Sequence, residues 1–186
     1  MIHVTLLDPS VVLMVGAAGS GKSTLAARLF AADEILSSDA LRAAIAGDAR
    51  DQGATGAAFR ALARMLERRL ANGRLSVIDA TNVRPADRRP WIAAARRHGV
   101  PVAAIVLDLP PAIIHAQNAA RSRVVDPEAI DRHLRAIRRT VDRGELELEG
   151  VDPVVLLGSP AEAQRVIITR IPAPNRPLPP PAGPTA

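Results

Sequence analysis

Residues 11–23 read Val-Val-Leu-Met-Val-Gly-Ala-Ala-Gly-Ser-Gly-Lys-Ser, and no other stretch of the chain limits its fold as tightly. Val11 to Val15 is an apolar run ending in glycine, the pattern of a strand buried on both faces of a parallel sheet. Gly16, Gly19 and Gly21 let the backbone turn tightly, so that its N–H groups converge on one point. A helix opening near Ser23 aims the positive end of its dipole at the same point. The spacing G-x-x-x-x-G-K-[ST] is suited to a triphosphate. Backbone N–H groups, with Ser20 and Thr24 beside them, surround the phosphate oxygens. Lys22 reaches the β- and γ-phosphates, and the Ser23 hydroxyl reaches Mg²⁺. Lys22 is the only lysine in the chain, and the planar fork of arginine does not easily replace its compact charge.

Beyond this loop, apolar runs at 34–37, 75–78, 101–107 and 153–157 read as four more strands. Between them, helical spacing and capping signals predict helices over 23–32, 39–46, 55–71, 85–98, 110–120 and 127–143, with a short last helix from Pro160. Strands alternating with helices imply an α/β P-loop NTPase fold: a parallel sheet of four to five strands, helices on both faces and an arginine-bearing helical lid. Right-handed crossovers bring every strand-to-helix loop to one edge, where ligands bind. A length of 186 residues suits a single domain. The boundary is expected at residue 170, because seven prolines between Pro172 and Pro184 predict an extended, disordered tail over 171–186.

Several classes are excluded. Without cysteine there are no disulfides or thiolate metal sites. No apolar run reaches membrane-spanning length and the N-terminus lacks a signal-peptide pattern, so a cytoplasmic protein with no membrane partner is expected. The net charge of +5 favours polyanionic partners, although a composition that favours arginine over lysine yields the same excess. The aromatics are Phe30, Phe59 and Trp91, too few for a base-stacking platform.

Asp79 closes the strand at 75–78, where a carboxylate beside the phosphate loop would support Mg²⁺; the turn-compatible Ala80-Thr81-Asn82 after it also suits a cap. Asp39 follows the second strand directly and so lies at the ligand edge. Arg42, three residues on, shares its helix face. One could take a proton from an attacking hydroxyl while the other grips a phosphate on the same acceptor. The same spacing suits an N-cap and its surface neighbour. Arg121 and Arg123 lie in a short connection between two helices, where a lid would close over a triphosphate. The later arginines, including Arg135, Arg138 and Arg139, read as a solvated helix face with i,i+4 partners. The four histidines show no metal spacing.

The stretches VVLMVGAAGSGKSTLAARLF, ILSSDALR, DQGATGAAFRALARMLERRLANGRLSVIDATNV, IVLDLP and RSRVVDPEAI together resemble the kinase module of bacterial end-healing enzymes, the polynucleotide 5′-kinase branch of the P-loop phosphotransferases. The resemblance implies ATP-dependent phosphorylation of a 5′-hydroxyl end of RNA or DNA. Asp39 would be the general base and Arg42 a contact to the adjacent phosphate. Lys22, Arg123 and Arg121 would clamp the donor, and Ser23 would ligate Mg²⁺ with support from Asp79. Asp51 and Gln52 match a family stretch without a mechanical role. The chain departs from the pattern where the family opens its lid with an Arg-Asn pair: it has Gln117-Asn118, one phosphate-binding charge fewer. Relatives often continue into phosphatase and ligase-like domains, for which 186 residues leave no room; the chain is then a stand-alone kinase, one served by a separate phosphatase or ligase partner, or an excised fragment. Two other readings share the loop: a kinase of a small hydroxyl metabolite or antibiotic, and a nucleotide-gated binding module without catalysis.

Overall fold

The computed structural model describes residues 1–46, 55–121 and 124–173. Its centre is a five-stranded sheet in which every neighbouring pair is parallel. In chain order the strands are β2 (Val11–Gly16), β3 (Ile35–Ser37), β4 (Ser76–Asp79), β5 (Val102–Leu107) and β6 (Val154–Leu157). Their spatial order is β3-β4-β2-β5-β6. All residues of β2, β4 and β5 are buried, which is why these strands read as unbroken apolar runs. The edge strands β3 and β6 are only partly covered.

The crossovers set where ligands can bind. From β2 the chain passes through α1 (Lys22–Leu29) to β3, skipping a place that β4 later fills. It returns to β4 through α2 (Ser38–Ala46) and α3 (Thr55–Ala71), then steps over β2 through α4 (Pro85–Arg97) to β5. Helices α5 (Pro111–Ala119), α6 (Pro127–Asp142) and the short α7 (Glu145–Leu148) lead to β6. With right-handed connections, this reversal of direction puts α1 on one face and α3 and α4 on the other. It opens a crevice at the carboxyl ends of β2 and β4.

The sequence reading missed two strands. β1 (Ile2–Asp8) and β7 (Val166–Pro172) form a separate parallel pair, in register from Ile2 with Val166 to Asp8 with Pro172. In β1 the apolar side chains alternate, with Val4 and Leu6 buried and His3 and Thr5 exposed. This short period-two signal has a partner more than 160 residues away in the chain. The domain boundary expected at 170 therefore falls inside β7. Arg170 forks onto Glu34, with NH1 donating to Oε1 at 2.6 Å and NH2 to Oε2 at 2.8 Å. These hydrogen bonds hold the Glu34 carboxyl below its ordinary pKa. Residues 174–186, most of the expected tail, lie outside the described residues. Helix α1 stops at Leu29 rather than Ala32, because Ala32–Glu34 forms a 3₁₀ turn in which Glu34 Oε2 accepts from the N–H of Ala31 at 2.9 Å.

A buried polar cluster fixes the crevice floor. Asn82 is 1% exposed and has φ +50, a left-handed conformation that asparagine tolerates better than most residues. Its Nδ2 donates to the carbonyls of Met14 (2.9 Å) and Ile78 (3.2 Å), and its Oδ1 accepts from Trp91 Nε1 at 3.2 Å. Its own carbonyl accepts from Arg88 NH1 at 3.0 Å. Arg88 is fully buried and forks onto Glu149, with Nε to Oε2 at 2.7 Å and NH2 to Oε1 at 2.6 Å. Glu145 Oε2 stands 3.5 Å from Arg88 NH2, so removing Glu149 takes away the bidentate partner and leaves one more distant acid. Glu149→Ala is expected to lower unfolding free energy by about 1–3 kcal/mol, read from the urea midpoint. The double change Arg88→Met, Glu149→Leu should recover most of that loss. A shift for Glu149→Ala no larger than that of an ordinary surface substitution would contradict the account.

Candidate active site

The turn after β2 has the backbone its glycines permit. Gly19 and Gly21 take φ of +83 and +89, values that L side chains rarely adopt. Gly16 is required for space: a Cβ there would lie 2.6 Å from Ser20 Oγ. Ser20 is itself 2% exposed, and its hydroxyl has no hydrogen-bond partner. The loop is tied to its neighbour by the Gly16 N–H, which donates to the Thr81 carbonyl at 3.0 Å. Lys22 opens α1, is 8% exposed and donates from Nζ to the Ala17 carbonyl at 2.7 Å. Burial depresses its pKa from 10.5 to about 8; Asp79 counters this and Arg121 adds to it. A triphosphate seated on the loop would give that ammonium its missing anion.

Ser23 Oγ donates to Asp79 Oδ2 at 2.7 Å. The acid ending β4 is thus joined to the residue following the loop lysine, and not to a turn N–H as a cap would be. A hydroxyl and a carboxylate are hard oxygen donors of the kind Mg²⁺ takes, the rest of its shell coming from phosphates and water. This pair fits that ion. No cluster of three or more His, Cys, Asp or Glu side chains that could hold a metal by itself occurs among the described residues.

Asp39 sits in the first turn of α2, at the carboxyl end of β3. The capping bond of this helix goes elsewhere: Ser37 Oγ accepts from the Ala40 N–H at 3.4 Å. Asp39 instead pairs with Arg42, three residues on, and its side chain is 57% exposed against 21% for Arg42. Both line one cleft of about 890 Å³ together with Gly19, Ser20, Lys22 and Asp79. Phe59, Arg121, Gln117 and His133 line it as well.

The lid side differs from its sequence reading. Asn118, read only as part of a departing pair, is 3% exposed and clips the connection shut. Its Nδ2 donates to the Val125 carbonyl at 2.8 Å and its Oδ1 accepts from the Val125 N–H at 2.9 Å. The asparagine of that pair therefore shapes the lid, which its sequence context alone did not reveal. Gln117, where a charge was expected, leaves its Oε1 buried and unpartnered. Arg121 is exposed and faces the cleft; Arg123 lies outside the described residues, as do Asp51 and Gln52. His133 was read as one of four scattered histidines. On α6 it reaches the cleft with Nδ1 buried and unpartnered, and burial followed by the nearby Lys22 charge lowers its pKa.

The AAA domain family model matches residues 11–143, from β2 to just past α6, and the chain belongs to that family. No curated protein matches it by sequence. Among solved structures, a chain of the Pnkp1/Rnl/Hen1 RNA repair complex superposes with a TM-score of 0.64 at 20% identity, covering 74% of this chain and 47% of that one. A gluconokinase from Sinorhizobium meliloti 1021 superposes with a TM-score of 0.55 at 17% identity, covering 85% and 91%. The AvrRxo1-ORF1:-ORF2 complex with ATP gives 0.58 at 14%, covering 82% and 55%. At these identities the likeness is one of fold. The chain spans less than half the length of the RNA repair chain it resembles. Fold and family together define an α/β domain of the AAA family with a phosphate loop after the first strand of its central sheet. Among the described residues no helix is long and apolar enough to cross a membrane.

The Lys22 pKa has a measurable consequence. A folded pKa near 8 means that the ammonium is present at neutral pH and is lost as pH rises through 8. A bound triphosphate raises that pKa, so binding near pH 8 must draw in a proton. Titration calorimetry at pH 8 in buffers of different ionisation enthalpy should show uptake of roughly half a proton per nucleotide. Uptake should vanish in Lys22→Met. No uptake in the native chain at pH 8 would contradict this account of the lysine.

Proposed function

We propose that this domain transfers the γ-phosphate of ATP to the 5′-hydroxyl end of RNA or DNA. The observation that carries the reading is that one cleft is lined by the phosphate loop, by the Ser23–Asp79 pair and by the Asp39–Arg42 pair. Donor and acceptor equipment thus face a shared space, as in-line transfer requires. Asp39 is the general base and takes the proton of the attacking hydroxyl. Its exposure suits the end of a long substrate that enters from solvent. Arg42 both orients that carboxylate and offers its fork to the phosphate next to the reacting hydroxyl. Lys22 and Arg121 neutralise the donor phosphates, and Arg123 belongs to the same lid segment. Ser23 and Asp79 would hold Mg²⁺, which supplies charge neutralisation on the β- and γ-oxygens when bound. Gln117 replaces a lid charge with an amide, which lowers the expected rate relative to kinases that keep the arginine. The RNA repair complex is consistent with this acceptor class, and the gluconokinase supports the alternative of a small polyol on the same fold.

The test is transfer of label from γ-labelled ATP, with Mg²⁺, to 5′-hydroxyl oligonucleotides, run beside Asp39→Ala. The native chain should label the oligonucleotide. Asp39→Ala should lower kcat by roughly 10²–10⁴-fold with nucleotide affinity little changed. Labelling of a sugar acid or polyol but of no oligonucleotide would assign the acceptor to a small metabolite. Undiminished labelling by Asp39→Ala would remove Asp39 from the chemistry.

A further inference from the structure

A second charged feature lies on α6, outside the nucleotide cleft. Arg132, Arg135 and Arg139 follow at spacings of three and four residues and so share one face of the helix. With Arg84, the residue before α4, they line an open cleft of about 360 Å³ that also includes buried Ala136. A solvated face with i,i+4 partners was expected here. Among the described residues one such pair is found: Arg132 NH1 stands 3.8 Å from Glu128 Oε2, whose side chain is 85% exposed. Among the described residues, Arg84, Arg135 and Arg139 have no carboxylate at ion-pair distance. Asp87, the nearest acid in the first turn of α4, accepts from the Arg84 backbone N–H at 3.1 Å and not from its guanidinium.

Four guanidinium groups gathered with one exposed carboxylate repel one another, and a polyanion relieves that repulsion. Arginine's planar fork suits phosphate oxygens. At about 1.5 Å of rise per residue, Arg132 to Arg139 spans roughly 10 Å. That length faces more than one phosphate of a nucleic-acid strand. The groove lies within electrostatic reach of the active cleft: His133, which lines that cleft, feels the charges of Lys22 in the cleft and of Arg84 and Arg132 in the groove.

We propose that this arginine groove is the docking track for the sugar–phosphate backbone of the nucleic acid whose 5′ end enters the cleft. The inference rests on the polynucleotide reading above and deepens it. No aromatic side chain lines the groove, so the track grips phosphates without reading bases.

The test compares the native chain with Arg135→Ala/Arg139→Ala, whose altered side chains are exposed, after thermal melts confirm equal folding. Binding is followed by fluorescence anisotropy of labelled 5′-phosphorylated oligonucleotides of 3 and 20 nucleotides across a salt series. The expected result is at least ~10-fold weaker binding of the longer strand, with a log–log salt slope shallower by about 1.4, at ~0.7 per lost phosphate contact. Trinucleotide and ATP binding should be unchanged. Equal affinity and slope in the variant would overturn the proposal. So would an equal loss for the trinucleotide, which would put these arginines in the cleft itself. Loss of binding to phosphatidylserine vesicles without loss of the long strand would reassign the groove to a membrane and likewise overturn it. Because binding needs no catalysis, failures are separable. A native chain that binds as expected but transfers no phosphate sinks the catalytic reading alone, and transfer with an unaltered variant salt slope sinks the groove alone.

Discussion

The Ser23–Asp79 hydrogen bond joins the first turn of α1 to the last residue of β4, 56 residues apart in sequence and adjacent only because β2 and β4 pair in parallel. Register sets the meeting point. Met14 pairs with Asp79, so β4 ends level with a residue two positions before Gly16, where the phosphate loop begins. A slip of one residue would turn Asp79 to the opposite face of the sheet. Burial on each face keeps both strands inside the sheet, and backbone hydrogen bonds at the two ends pin the register: the Ser76 N–H donates to the Ser10 carbonyl and the Gly16 N–H to the Thr81 carbonyl, both at 3.0 Å. The chemistry of the cleft is therefore a consequence of core packing one or two residues away.

Polar contacts complete what the strands begin. The segment after β4 is fastened twice to the end of β2, where the phosphate loop starts: by the Gly16 N–H on the Thr81 carbonyl and by the Asn82 amide on the Met14 carbonyl. Trp91 and Arg88 of α4 lock Asn82 from behind, and Glu149 compensates Arg88. On the far side Asn118 holds the lid connection by both atoms of its amide. Two buried asparagines thus fix the floor and one wall of a cleft that Lys22, Ser23, Asp39 and Arg42 line.

The sheet, its order of burial and the phosphate loop were legible because the signals are local: an apolar run, then glycines, then a helix start. The Asp39–Arg42 pair was legible as an i,i+3 spacing, but its competing reading as a cap was settled only by Ser37, whose hydroxyl takes that bond. β1 and β7 were not legible, because each gains its meaning from a partner at the other end of the chain. The work of Asn82 and Asn118 was hidden for a related reason. An asparagine in a turn-like segment looks the same whether it faces water or carries three buried hydrogen bonds. His133 and the face of α6 that bears Arg135 and Arg139 looked like any charged helix, since sequence does not say which carboxylates come within reach.

The phosphate loop, the Ser23–Asp79 pair and an exposed carboxylate beside an arginine thus share one cleft, and the proposed chemistry depends on that carboxylate reaching the acceptor. The most direct measurement is a crystal structure with Mg²⁺, a non-hydrolysable ATP analogue and a 5′-hydroxyl dinucleotide. The account predicts an Asp39 carboxylate oxygen at hydrogen-bond distance, about 2.6–3.2 Å, from the 5′-oxygen, with that oxygen in line with the γ-phosphorus. A bound acceptor whose 5′-oxygen sits apart from Asp39, with another side chain of the cleft on its proton, would contradict it.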